Sequence, residues 1–324
     1  MPSFQHLLLK QLLTAAAAPL ARRKPSVGAM RLAMEAGSLF NFMPWKVNLE
    51  SFRLDNRLDA EWLRPRAAHP TRVMLYLHGG GYVLGSLNTH RSLVGSLAQR
   101  CGLNVLTINY RKAPDHPFPA ALDDAKRAYR WLLRQGYQPH DIVVAGDSAG
   151  GGLALALLLA LRNAGENMPA AGIGLSPWTD LNLPVSALRR VAREEGLLLE
   201  ALQMRNWGPL YAHKTALSHP LLSPLQADLH GLPPLLIQVS SAEVLYDDAL
   251  RFADKARAAG VPVTLQPFEG LVHWWHLFWR IVPEARQALD QVAAFLQKRW
   301  EQVEAERRET GAIARPQPRR RMAA

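Results

Sequence analysis

Five consecutive residues constrain this chain more than any others: Gly146-Asp147-Ser148-Ala149-Gly150. They follow the apolar run Ile142-Val143-Val144-Ala145 and precede a second, longer apolar stretch, residues 153–161. A strand that turns into a helix within so short a span leaves no room for bulky side chains two positions either side of the apex. Gly146 and Gly150 occupy those two positions. The hydroxyl of Ser148 is then held clear of the sheet, while the Ala149 amide and the amino end of the helix face incoming negative charge. A glycine-rich turn arises easily by coincidence, but the strand before this one and the helix after it mark Ser148 as a candidate nucleophile.

The rest of the chain has the rhythm such an elbow needs. Short apolar runs at residues 73–77, 103–108, 142–145, 171–175, 235–239 and 263–268 read as strands covered on both faces. Segments of helical period lie between them. Ala121, Ala125, Ala128 and Leu132 share one face, and Leu245, Ala249, Phe252, Ala253 and Ala256 share another, with Gly260 as a stop. A last helix opens near Pro283 and runs through Leu289, Val292, Leu296 and Val303. The expected class is α/β, a mostly parallel central sheet flanked by helices. Two segments break the rhythm: residues 1–45, helical and ahead of any strand, and the stretch from Asp180 to about Ser218. Both are expected to lie over the carboxyl end of the sheet as a lid. The expected organisation is therefore an N-terminal helical cap segment (1–45), a catalytic domain (46–305) with a cap insertion at about 181–218, and a basic, disordered tail (306–324).

Charge and cysteine content narrow the function classes. The net charge is +11 over 324 residues, but it sits at the ends. Residues 1–50 carry six Lys/Arg against two Asp/Glu, and the last fourteen carry four Arg and no acid, leaving 28 basic and 25 acidic residues between. A body so nearly balanced, with no aromatic interleaving of its basic ends, gives no reason to expect a nucleic-acid partner. Cys101 is the only cysteine, so no disulfide forms within the chain and a reducing compartment suits it. The longest apolar run is too short to span a bilayer, and stable membrane insertion is not expected. The N-terminus only weakly imitates a signal peptide, since Arg22-Arg23-Lys24 follow the apolar stretch rather than precede it. A cytoplasmic location is the expectation.

His78-Gly79-Gly80-Gly81-Tyr82 follows the strand at 73–77 directly. Three glycines in a row cost chain entropy and pack against nothing. They make sense where backbone amides must approach a ligand unobstructed, as the oxyanion of an acyl-transfer intermediate demands. No lysine follows in the P-loop position, and no G-x-G-x-x-G spacing occurs, so a nucleotide role is disfavoured.

A serine hydroxyl needs a base, and the base needs an orienting acid. With an elbow of this kind the chain order is serine, acid, histidine. His273 and His276 both lie late enough. His273 falls on the turn after the strand ending at Phe268 and is the expected base, with His276 a packed or surface residue. No cysteine or acid cluster completes a metal site around them, and no metal or other cofactor is expected. The acid lies beyond the strand at 235–239. Glu243 stands in the loop off the strand end, and Asp247 at the start of the next helix is the alternative.

These residues together resemble the hormone-sensitive-lipase-like branch of the α/β-hydrolases, the bacterial family IV carboxylesterases. The stretches HGGGYVLG (78–85), YRKAPDHPFPAALDD (110–124), GDSAGG (146–151), Ser176-Pro177-Trp178 and 270–273 occur in the family's order. The resemblance covers roughly residues 45–300. It implies an α/β-hydrolase fold with a helical cap, and a serine carboxylesterase acting on short- to medium-chain acyl esters, with a small-molecule ester as partner. It makes Ser148 the nucleophile, His273 the general base, and the amides of Gly80, Gly81 and Ala149 the oxyanion hole, with His78 supporting the glycine loop. Many members carry Asp-Pro-Leu where this chain has Glu243-Val244-Leu245, which puts Glu243 in the acid's place. Tyr82, with Phe40, Phe42, Trp45, Trp207 and Tyr211, is expected near the substrate. The same triad would serve an amidase or thioesterase, and the same scaffold a non-catalytic ligand receptor. Relatives often pair through the sheet edge, so a homodimer is among the implied states.

Overall fold

The computed structural model describes residues 1–39, 42–182 and 204–309. Phe40, most of the expected cap insertion and the tail from residue 310 lie outside the described residues.

Two helices come first, α1 (Phe4–Arg23) and α2 (Val27–Ser38). An antiparallel hairpin follows, β1 (Val47–Leu54) and β2 (Leu58–Pro65), turning at Asp55 and Asn56, which both hold positive φ. The chain then alternates: β3 (Val73–Leu77), α3 (Leu87–Cys101), β4 (Asn104–Ile108), α4 (Ala120–Arg134), β5 (Ile142–Asp147), α5 (Ala149–Asn163) and β6 (Ala171–Leu175). After α6 (Met204–Ala212) come β7 (Leu235–Ser240), α7 (Tyr246–Ala258), β8 (Val263–Phe268) and α8 (Pro283–Glu309). The eight strands form one sheet in the order β1-β2-β4-β3-β5-β6-β7-β8. β1 and β2 are antiparallel to their neighbours, and β4, β3 and β5 to β8 all run parallel. The expected mainly parallel sheet is therefore present. The hairpin at its edge was not anticipated, because β1 is largely exposed and carries no continuous apolar run.

Alternation along the buried strands sends side chains to both layers. Val73, Leu75 and Leu77 join the core beneath α4, α5 and α7, with Ala125, Tyr129, Leu157 and Phe252. Met74 and Tyr76 join the opposite core beneath α3 and α8, with Leu97, Leu289, Leu296 and Trp300. The covering of both faces is why β3 is apolar at every position. Helix α8 runs to Glu309, between one and two turns past Val303, the last apolar position expected from its period, so residues 306–309 of the expected disordered tail are helical. Among the described residues no helix is long and apolar enough to cross a membrane.

Parallel strands place their carboxyl ends on one edge of the sheet, and ligand sites form there. The glycine loop after β3, the elbow after β5, the loop after β7 and the loop after β8 all emerge at that edge.

Candidate active site

The elbow is tight enough to exclude any side chain at its flanks. A Cβ added at Gly150 would lie 2.1 Å from the Leu77 carbonyl oxygen of β3. Ser148 itself sits at φ 53°, ψ −122°, a conformation L-residues rarely hold, and the surrounding backbone pins it there. Its amide donates to Leu175 O of β6 (2.8 Å), and its carbonyl accepts from Trp178 (2.9 Å) and Gly152 (3.0 Å).

The hydroxyl so presented meets His273. His273 Nε2 is 2.8 Å from Ser148 Oγ, and its Nδ1 is 2.7 Å from Glu243 Oε2. All three side chains are buried, Ser148 and His273 at 3 % exposure and Glu243 at none. The other Glu243 oxygen, Oε1, accepts from Ser176 Oγ (2.7 Å), the Ser240 amide (3.0 Å) and Trp275 Nε1 (3.0 Å). Burial opposes ionisation of Glu243, but the hydrogen bond and charge of His273, helped by Ser176, outweigh it and hold the carboxyl below its usual range. Asp247 falls in the first turn of α7, and it is Glu243 that reaches the imidazole.

His276 takes no part in this chain of contacts. Its Nε2 is 3.1 Å from Gln238 Oε1, it stacks on Trp275, and burial lowers it to about 4. An unfolded histidine takes a proton near 6.5. Its contribution to stability is therefore complete above that pH and is lost as pH falls from 6.5 towards 4. Burial also raises Asp248 to about 7, which acts in the opposite sense over this range. A difference measurement separates the two. In urea unfolding between pH 7 and 4, wild type should lose on the order of 3 kcal/mol relative to His276→Gln.

Asp147, the second residue of the elbow motif, joins the elbow to the glycine loop. Its Oδ1 accepts from Tyr76 OH (2.8 Å) and the Gly79 amide (2.9 Å), and its Oδ2 lies 3.2 Å from His90 Nε2 of α3. Burial alone would raise it, but His90 and these hydrogen bonds hold it at about 2. His78 braces the same loop. Its Nδ1 is 2.8 Å from Gly79 O, and its ring stacks on Tyr110, whose hydroxyl donates to His78 O. Burial, reinforced by Lys112, depresses His78 well below the usual histidine range, so it stays neutral.

The glycine loop is shaped by close approach. A Cβ on Gly81, at φ +63°, would sit 1.8 Å from the Trp207 ring of α6. The amides of Gly80, Gly81 and Ala149 meet no acceptor among the described residues, so each remains available to a ligand. Tyr82 is only 1 % exposed, stacked on Tyr211 at 3.9 Å between the loop and α6. Of the other aromatics expected near the substrate, Trp207 and Tyr211 are buried, and Phe42 and Trp45 are exposed.

Residues 74–277 match the family described as the alpha/beta hydrolase fold. The chain belongs to that family. Within the α/β hydrolases it falls in the hormone-sensitive-lipase-like branch. A crystal structure of an esterase from the bacterial hormone-sensitive lipase family superposes with a TM-score of 0.81 at 38% identity, over 89% of this chain and 98% of the other. The esterase EstE5, in crystals soaked with p-nitrophenyl butyrate, superposes at 0.85 with 37% identity, over 92% of this chain and 99% of its own. An acetyl-hydrolase of Streptomyces hygroscopicus is 48% identical over 238 residues, 73% of this chain and 79% of the relative.

Several groups that support this α/β-hydrolase site leave no distinct signal in the sequence. Asp147 lay inside the quoted motif, but its role depends on Tyr76, Gly79 and His90, which only the fold assembles. Ser176 stood in the quoted Ser-Pro-Trp motif, and Trp275 beside the two histidines, with nothing local to show that both would donate to Glu243.

Proposed function

We propose that this carboxylic ester hydrolase works through an acyl-enzyme on Ser148 and prefers short- to medium-chain acyl esters. One observation carries the mechanism: the unbroken line of contacts from Ser148 Oγ through His273 to the buried Glu243 carboxylate. His273 Nε2 takes the hydroxyl proton as Oγ bonds to the ester carbonyl carbon. The carbonyl oxygen becomes an oxyanion, and the unbonded amides of Gly80, Gly81 and Ala149 stabilise it. The imidazolium, steadied by Glu243, hands its proton to the departing alcohol as the C–O bond breaks. Water then attacks the acyl-serine by the same route, releasing the acid and restoring the hydroxyl.

The short-chain preference rests on two supports. One relative is named an acetyl-hydrolase, and EstE5 was soaked with a butyrate ester. The Trp207 ring also presses on Gly81, so bulk already stands beside one of the proposed oxyanion donors. A profile of kcat/KM over p-nitrophenyl esters from acetyl to palmitoyl, with matched anilides and thioesters, tests both parts. The maximum should fall at or below eight carbons, with palmitate at least about tenfold lower, since each misfit methylene costs ~1–3 kcal/mol. A maximum at palmitate overturns the chain-length reading, and a higher value for the anilide or thioester overturns the ester reading.

A further inference from the structure

The loop that carries His273 is held in an unusual way. Three consecutive amides enter it, and a side chain accepts from each. Gly270 N donates to Ser241 Oγ (3.1 Å), Leu271 N to Ser240 Oγ (2.7 Å), and Val272 N to His6 Nε2 (3.0 Å). The first two acceptors belong to the segment leading to Glu243. The third comes from α1, 266 residues away in sequence. His6 and Val272 are both fully buried, so an amide left without its acceptor here has no water to turn to.

We propose that His6 is a positioning residue for His273, and that the first turn of α1 is a strap fixing the loop of the general base. The inference rests on His273 being that base. Two further contacts bracket the loop. Pro2 packs on Gly270 so closely that an added Cβ there would lie 2.8 Å from its ring, and Ser3 Oγ donates to Glu284 beyond the loop (2.8 Å). The strap therefore grips both ends of the segment and, through His6, the residue before His273. Just past the gripped amides, Trp274 takes φ 69°, so the loop holds an uncommon backbone shape that external contacts must maintain.

The chemistry of the contact is specific. A ring nitrogen that accepts from an amide carries no proton, so neutral His6 bears its hydrogen on Nδ1, which has no partner among the described residues. A protonated His6 would set N–H against N–H. Burial and Lys10 on its own helix favour the neutral ring, while Glu284 of α8 opposes them. An alkyl side chain fills the space without accepting, whereas the Gln amide oxygen can reach roughly where Nε2 lies.

Steady-state kinetics on His6→Ala and His6→Gln with p-nitrophenyl acetate, well below their melting temperatures, tests the strap. A shift of the base by about an ångström costs up to ~10²-fold. The expected result is a kcat loss of roughly 10- to 100-fold in His6→Ala with KM within about twofold, and recovery of most of it in His6→Gln. The acid limb of kcat/KM should also move in the alanine variant, because the environment of His273 changes. Unchanged kcat in His6→Ala, a loss confined to KM or melting temperature, or equal losses in both variants overturns the proposal. His273→Ala, run in parallel, separates this from the reading beneath it. An inactive His273→Ala beside a fully active His6→Ala defeats the strap alone, whereas a fully active His273→Ala defeats the base assignment itself.

Discussion

Turnover of p-nitrophenyl acetate by a Ser148→Ala protein is expected to fall by about six orders of magnitude in kcat, to the level the oxyanion donors and binding alone sustain. The size follows from what the methyl group cannot do. No oxygen remains to bond the acyl carbon, so the two-step route through an acyl-serine closes, and His273 is left facing a carbon. The protein around it should stand almost unchanged. The elbow is held by backbone contacts of Ser148 N and O and by the glycines at 146 and 150, none of which uses the hydroxyl. Unfolding free energy within about 1 kcal/mol of wild type, with the burst of acyl-enzyme gone, is the full expectation. A folded Ser148→Ala protein that keeps more than about a hundredth of the rate removes Ser148 as nucleophile.

Different parts of the molecule were unequally readable before folding. The elbow announces itself because its geometry tolerates so few residues: the glycines are required by backbone atoms 2–3 Å away, and that requirement is local. The inner strands were readable because helices cover both faces of the sheet, whereas β8, expected to be covered on both faces, lies at the edge and is only partly buried. β1 was missed because an exposed edge strand need not be apolar, and β2, though mostly buried, has its apolar positions interrupted by Asp59, Glu61 and Arg64. The hairpin's one signal was Asp55-Asn56, a pair that tolerates positive φ at a turn. Glu243 was favoured over Asp247 because a loop off a strand end can turn its side chain inward, whereas the start of a helix gives an acid another use. Asp147 and His6 were out of reach for a different reason. A buried carboxylate with a tyrosine, an amide and a histidine as partners, and a lone helix histidine meeting an amide 266 residues away, exist only once the chain has closed.

Glu243→Gln should be the more telling acid variant, with an expected fall in kcat of about 10⁴. Three donors on Oε1 dictate how a glutamine must sit. Ser176 Oγ–H, Ser240 N–H and Trp275 Nε1–H all point at that oxygen, so a glutamine must place its carbonyl there and turn its NH₂ towards His273. That amide donates where the carboxylate accepted. His273 Nδ1 must then become the acceptor, its proton moves to Nε2, and the ring donates to Ser148 Oγ instead of receiving from it. The geometry survives, but the tautomer is wrong for catalysis. Glu243→Ala lacks this inversion, leaving three donors without their acceptor, so a loss of stability should accompany its loss of rate. Asp247→Asn changes a residue outside the chain of contacts from Ser148 to Glu243 and should stay within a few-fold of wild type. Parallel kinetics and unfolding on the three proteins decide the matter. If Glu243→Gln stays within tenfold of wild type, or Asp247→Asn suffers the larger loss, the acid is not Glu243.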